Sequence, residues 1–405
     1  MALAVLMGAT VTGASVGVFL RALDAVTALR FAQGWLIWFM PLGSMAVAWA
    51  YLRFGGDSAR GIPLIVDRIH KPRAGVPWRM APLIFATTLL THLVGGSAGR
   101  EGTAVQMGGS IAGALLRFAR LRRPHAALLL LTGIAAGFGA VFGTPWTGAV
   151  FALELACWRR SSPTQIAGCI AAAFVGHWAC HLTGAHHTQY VIATPNWWDA
   201  GLWRGVGIGA LLLGGAAFFF CWTLEFFKSA FGRIRNVMAR AAVGAAVVLM
   251  LTMVVGTRDY LGIGVVSPEP GGVGIVAAYQ GDWIPAASPL LKLLFTTITV
   301  ACGMKGGEAT PLFFIGATFG SLLSGPMNVP VDLMAGIGMV AVFCAAAKTP
   351  LSGAVMGMEL FGLAFGPVFF LANLIAWLVS GYRGIYRESA PPVLSTSAKI
   401  TGSQP

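Results

Sequence analysis

Thr144-Pro145-Trp146-Thr147-Gly148-Ala149-Val150, with Glu154-Leu155 behind it, returns 205 residues later as Thr349-Pro350-Leu351-Ser352-Gly353-Ala354-Val355, followed at the same distance by Glu359-Leu360. A second stretch repeats at almost the same interval. Gly99-Arg100-Glu101-Gly102-Thr103 is answered 207 residues on by Gly306-Gly307-Glu308-Ala309-Thr310. Two separate motifs sharing one offset read as two copies of one ancestral unit. The halves are expected at about 1–227 and 240–387, joined near the basic connector 228–240. Identity alone leaves open whether the copies run the same way or are inverted, because that depends on the number of spans in each.

The solvent for this chain is lipid. Hydrophobic residues make up 57% of its 405 positions and charged ones only 10%, at a mean hydropathy of +0.76. A soluble domain carries roughly 25% charged residues. Apolar runs such as 81–97 and 241–256 approach the roughly 20 residues needed to span a bilayer. We expect an all-α polytopic membrane protein with one transport domain over 1–387 and a polar tail over 388–405. The apolar N-terminus lacks a basic start and a clear cleavage site, so it reads as a first helix.

The net charge of +13 does not point to nucleic acid, because no aromatic-interleaved basic groove accompanies it. The basic residues sit in short connectors: Arg117, Arg120, Arg122 and Arg123; Arg159 and Arg160; Lys228, Arg233 and Arg235; Arg383 and Arg387. That is the distribution of cytoplasmic loops under the positive-inside rule. Cys157, Cys169, Cys180, Cys221, Cys302 and Cys344 form no CxxC pair and read as small buried hydrophobes. Neither a metal nor a cofactor is expected.

Duplicated membrane halves place a transport site between them, near the midplane. The glycine-rich runs Gly95-Gly96-Ser97-Ala98-Gly99 and Gly303-Met304-Lys305-Gly306-Gly307 each precede a new apolar segment, the pattern of helices broken inside the membrane. Irregular backbone at that depth must be buried in protein or line a cavity. The helix after each break aims its free N–H groups and positive dipole end at that cavity, which builds an anion site without lysine. Gly108, Gly109 and Gly113 read instead as close-packing positions.

Carboxylates in such surroundings mark function by default. Glu101 stands at a helix start, where its charged form can occupy the anion site and its protonated form can leave it. One residue then serves as gate and proton carrier. Glu308 holds the equivalent place, near the hydroxyl of Thr310. Glu154 and Glu359 sit ten residues past the Thr-Pro starts, either paired structurally or lining an ion path. Ser97 satisfies the GxSxG pattern of hydrolases, which needs a strand, a histidine and an acid that the apolar context does not supply. His177 and His181, with His186 and His187 nearby, read as interfacial.

The Gly-Arg-Glu-Gly stretch at Glu101, the repeated Pro-x-x-Gly-Ala-Val helices and Gly307-Glu308-Ala309-Thr310-Pro311 resemble the CLC chloride channel and transporter family over nearly the whole chain. The resemblance implies tilted and re-entrant helices in two inverted repeats, a homodimer with one ion pathway per subunit, and Glu101 as the gating glutamate, with Thr103 replacing the usual proline. Residues 64–70, 91–108 and Arg383-Gly384-Ile385-Tyr386 look most similar to the fluoride/proton antiporter branch. As in that branch, the chloride-coordinating serine is absent and Arg60 stands at its position. Thr310 and Tyr386 match the branch threonine and the inner-gate tyrosine. Leu155 falls where chloride/proton exchangers carry their internal proton glutamate. Gly61-Ile62-Pro63-Leu64-Ile65 departs from the branch's asparagine-rich stretch.

The resemblance therefore implies fluoride export coupled to proton import at Glu101, in a multi-pass cell (inner) membrane protein. Anion contacts are expected at Ile62, Gly99, Arg100, Gly102, Thr103, Ala309, Thr310 and Tyr386, with Glu308 and Glu154 on a possible proton path. The expected partners are fluoride or chloride, protons, the lipid bilayer and a second copy of the chain. A chloride/proton exchanger or passive chloride channel is the alternative, and an intramembrane hydrolase using Ser97 a more distant one. The tail after Tyr386 looks too short for an appended regulatory domain.

Overall fold

The computed structural model describes residues 1–71, 75–119, 125–156 and 161–386. Cys157, Arg120, Arg122, Arg123, Arg159, Arg160, Arg387 and the tail 388–405 lie outside the described residues. The described chain is helical, with no strand. Its first eight helices are α1 (Ala2–Ala32), α2 (Met40–Ala50), α3 (Ile62–His70), α4 (Met80–Leu93), α5 (Glu101–Phe118), α6 (Ala126–Phe142), α7 (Pro145–Leu155) and α8 (Pro163–His181). The next eight are α9 (Ala200–Gly232), α10 (Val237–Val255), α11 (Ile275–Gln280), α12 (Ser288–Ala301), α13 (Ala309–Met327), α14 (Val331–Ala347), α15 (Pro350–Phe361) and α16 (Gly366–Val379).

Only some of these helices cross a bilayer unaided. By length and composition, α1, the stretch from Gly34 to Arg60, α9 and α10 are long and apolar enough to do so. Helices α4 and α12 have 14 residues each, or about 21 Å at 1.5 Å per residue, short of the roughly 30 Å hydrocarbon core. The glycine-rich break follows each. The chain resumes as α5 and α13, of 18 and 19 residues.

The orientation of the two copies is set by α7 and α15. Both begin Thr-Pro, and proline suits the first helical position because the missing N–H has no partner there anyway. Thr144 and Thr349 occupy the N-cap positions without making a side-chain cap. The open donors are taken from across the repeat. Glu154, near the end of α7, accepts from Leu351 N (3.0 Å), Ser352 N (2.8 Å) and Ser352 Oγ (2.6 Å) at the start of α15. Glu359, near the end of α15, accepts from Trp146 N (2.9 Å), Thr147 N (2.8 Å) and Thr147 Oγ1 (2.8 Å) at the start of α7. Each helix is capped by the other's C-terminal glutamate, so the two lie side by side and antiparallel. Equivalent helices point opposite ways, and the repeat is inverted.

The same symmetry runs through the core. Phe138 of α6 and Phe343 of α14, equivalent under the 205-residue offset, stack on each other at 6.3 Å and share Phe151. Helices α5 and α6 touch at Gly108 and Gly133, where a Cβ on either would collide with the other's carbonyl. Gly316 and Gly338 repeat that contact between α13 and α14. Gly109 and Gly113 meet Ile65 and Val76 in the same close manner, as their packing role requires. The five described cysteines are free and buried.

Candidate anion site at the paired helix breaks

The two glycine-rich breaks meet. Gly99 N–H donates to Gly307 O at 2.5 Å, and Gly307 N–H donates to Gly99 O at 2.7 Å, as an isolated antiparallel bridge. A Cβ on Gly307 would stand 2.7 Å from Gly102 N, inside van der Waals contact, so only glycine lets the breaks approach this closely. Further bonds join them: Ser97 N to Thr299 Oγ1 (3.3 Å), Ser97 Oγ to Thr296 Oγ1 (2.9 Å) and Lys305 N to Thr91 Oγ1 (3.2 Å). Ser97 is thus buried and paired with a threonine, beside no histidine or acid in its bonds.

Glu101 is the first residue of α5 and is 1% exposed. Its carboxylate crosses to the other half. Oε2 accepts from Thr310 N at 3.1 Å and from Arg100 N at 3.0 Å. Oε1 accepts from the Thr310 hydroxyl and lies 3.7 Å from Arg100 Nε. Thr310 is the second residue of α13 and Pro311 follows it, so the N-terminus of α13 presents its amides at Ala309 and Thr310. Charge-assisted bonds contribute roughly 1.5–3 kcal/mol each, against a far larger cost for an unpaired buried carboxylate. The environment of Glu101 is almost wholly donors. Each of these hydrogen bonds is accepted by a carboxylate oxygen.

The other expected anion contacts divide. Gly99 spends its N–H on Gly307 and Arg100 spends its own on Glu101. Thr103 pairs its hydroxyl with Thr88 at 2.8 Å. Gly102 and Ala309 are buried in the first turns of α5 and α13. Ile62 opens α3 and is buried. A Cβ on its neighbour Gly61 would lie 3.4 Å from Gln106 Oε1, so α3 arrives with its N-terminus against the second turn of α5. Gln106 holds itself there by donating to Gly102 O at 3.1 Å. Nothing but its place in the quoted stretch marked it beforehand.

Tyr386 is buried and meets the Phe151 ring edge-on at 6.0 Å. Glu308 breaks the symmetry. It caps no helix of the opposite half among the described bonds, although it is the N-cap residue of α13. Lys305 rests over the Tyr51 ring at 4.2 Å. Glu154, as described above, is engaged at the start of α15. His177, His181, His186 and His187 gather near the end of α8, and no group of three metal-ligating residues occurs among the described residues.

On one side Glu101 faces a small cavity of about 30 Å³, shared with Arg100, His187, Tyr190, Thr310 and Phe313. That volume holds one or two waters. A larger cavity of about 450 Å³, bounded by Asp24, Arg100, His186 and His187, lies next to it.

An inverted, broken-helix repeat with a buried carboxylate held at a helix start is the arrangement of an anion-transport protein of the CLC class. The chain belongs to that family: the model of the voltage gated chloride channel family matches residues 43–381. A "chloride/fluoride channel protein" of Pseudomonas syringae pv. tomato is 38% identical over 384 residues, 93% of this chain and 83% of that one. The crystal structure of a CLC-type fluoride/proton antiporter superposes with a TM-score of 0.89 at 29% identity, covering 95% of this chain and 96% of the other. An "H(+)/Cl(-) exchange transporter ClcA" of Cronobacter sakazakii is 27% identical over 88% of this chain and 82% of its own length.

Proposed function

We propose that this protein exports fluoride in exchange for protons entering the cell. The observation that carries the proposal is the Glu101 carboxylate held on the amide and hydroxyl of Thr310 at the start of α13. A small hard anion and this carboxylate compete for the same donors. When the anion takes them, Glu101 leaves, and it leaves most readily as the neutral acid. Proton uptake and anion binding are thereby linked at one position. The similarity to a fluoride/proton antiporter and to a chloride/fluoride channel protein supports fluoride as the anion.

Glu308, the counterpart of Glu101 in the other half, is the acid we place on the inner part of the proton path, and Tyr386 is the inner gate. Glu154 we assign to capping α15 and leave out of that path. The chain works as a single transport domain and as a homodimer in the inner membrane. Helix lengths support a second half that starts at α9, since its 33 residues match the 31 of α1. The basic connector at Arg233 and Arg235 then joins two helices within that half. Basic residues concentrate around 53–79, 228–240 and 383, so these connectors face the cytoplasm. The cavities beside Glu101 open to the opposite, external side.

Chloride/proton exchange is the second reading. Gly61-Ile62-Pro63 at the start of α3 favours it, as does the similarity to the exchange transporter. Purified protein in liposomes decides between them. Fluoride efflux should exceed chloride efflux by about a hundredfold, the result of fixed short donors that a larger ion cannot engage together. Equal rates would sink the fluoride assignment.

A further inference from the structure

Arg100, His187, Thr188 and Val265 line both the small cavity at Glu101 and the larger cavity beside it. Of these four, only histidine takes up and releases a proton near neutral pH; arginine stays charged, and threonine and valine do not titrate. His187 therefore stands at the junction of an open vestibule and a buried carboxyl. It lies in the irregular segment after α8, with Nε2 2.9 Å from Ala140 O. A carbonyl only accepts, so Nε2 carries the hydrogen and Nδ1 keeps a lone pair for an incoming proton.

The groups facing His187 come from several elements. His177 of α8 stacks on it at 6.3 Å, and His181 acts on it from the same helix. Arg100 and Glu101 approach from the break, and Tyr190 from its own segment. Asp24 of α1 and His186 share the outer cavity with it. Burial lowers the pKa of His187; the bond to Ala140 O opposes this, while Arg100, His177 and His181 add to it. The net direction is downward, which favours giving the proton up.

We infer that His187 is the relay that loads Glu101 with external protons, with Asp24 and His186 gathering them at the vestibule mouth. The inference rests on the proton-coupled reading above. A proton binds at Nδ1 to give the imidazolium. It then passes through water in the small cavity to a Glu101 oxygen: the N–H bond breaks, an O–H bond forms, and the ring returns neutral. Such a relay matters when protons are scarce. At pH 8, encounter at roughly 10¹⁰ M⁻¹ s⁻¹ brings on the order of 10² protons per second to a buried group.

The test uses fluoride-loaded liposomes. His187→Gln keeps a donor for Ala140 O and removes the titrating lone pair. Proton uptake by the variant should fall about tenfold below wild type at external pH 8, approach wild type at pH 5, and recover at pH 8 when imidazole is added outside. Asp24→Asn, at an exposed position, should show a smaller loss with the same pH pattern, and it carries the test if His187→Gln does not fold. Wild-type rates at pH 8, or a loss that is equal at both pH values and untouched by imidazole, overturn the relay. A wild type that moves fluoride without protons sinks the antiport reading and the relay with it; a coupled wild type with an unaffected variant sinks the relay alone.

Discussion

Protonating Glu101 changes what its carboxyl can accept. As an anion it takes hydrogen bonds from Arg100 N, Thr310 N and the Thr310 hydroxyl. As a neutral acid it brings a donor into a site already made of donors, and the seat is lost. Glu101→Gln fixes a neutral amide there permanently. Its proton flux should drop to the level of protein-free vesicles while fluoride still leaks, read by a pH electrode beside a fluoride electrode. A variant that still moves protons removes Glu101 from the coupling role. The importance of this residue was legible in the sequence, because a carboxylate after a glycine-rich break in an apolar chain has few structural uses. Its partner was not: the Thr310 hydroxyl was legible only as an anion contact near Glu308. The bond to Thr310 spans 209 residues, and no local pattern encodes it. His187 was legible only as one of four interfacial histidines, since its place between two cavities depends on segments far apart in the sequence.

At the scale of elements, α7 and α15 show how two copies of a sequence lock together. The Thr-Pro starts were legible as helix starts, and the natural expectation is that each threonine caps its own helix. Instead Glu154 and Glu359 supply the acceptors, each from the far end of the opposite helix. Two roles stood open for these glutamates beforehand, and the capping geometry favours the structural one. Glu154→Gln separates them, because it keeps the size and removes the charge. We expect a loss of about 1–2 kcal/mol in stability, measured by unfolding in mixed detergent micelles, with proton coupling retained. Unchanged stability with abolished proton flux would restore Glu154 to the ion path. The glycine breaks were more legible than the caps. Glycine-rich runs before apolar helices carry their signal locally, whereas the Gly99–Gly307 bridge needs both halves in place.

Across the whole molecule, inversion is what makes the site. One break lies in each half, and antiparallel halves bring the start of α5 against the start of α13, so that a side chain from one occupies the dipole end of the other. The symmetry is then broken at the carboxylates: Glu101 bonds to the helix start of the opposite half, and Glu308 makes no equivalent bond among the described residues. The offset of the repeated motifs revealed the duplication but not its sense, since sequence identity carries no direction. Under the proposed function, the protein converts one gradient into the other. Liposomes loaded with fluoride at equal pH on both sides, facing fluoride-free buffer, test that directly. The account predicts that fluoride leaving through the protein draws protons inward and acidifies the lumen, opposite in sign to leakage of HF through lipid. Fluoride efflux through the protein with no lumenal acidification would contradict it.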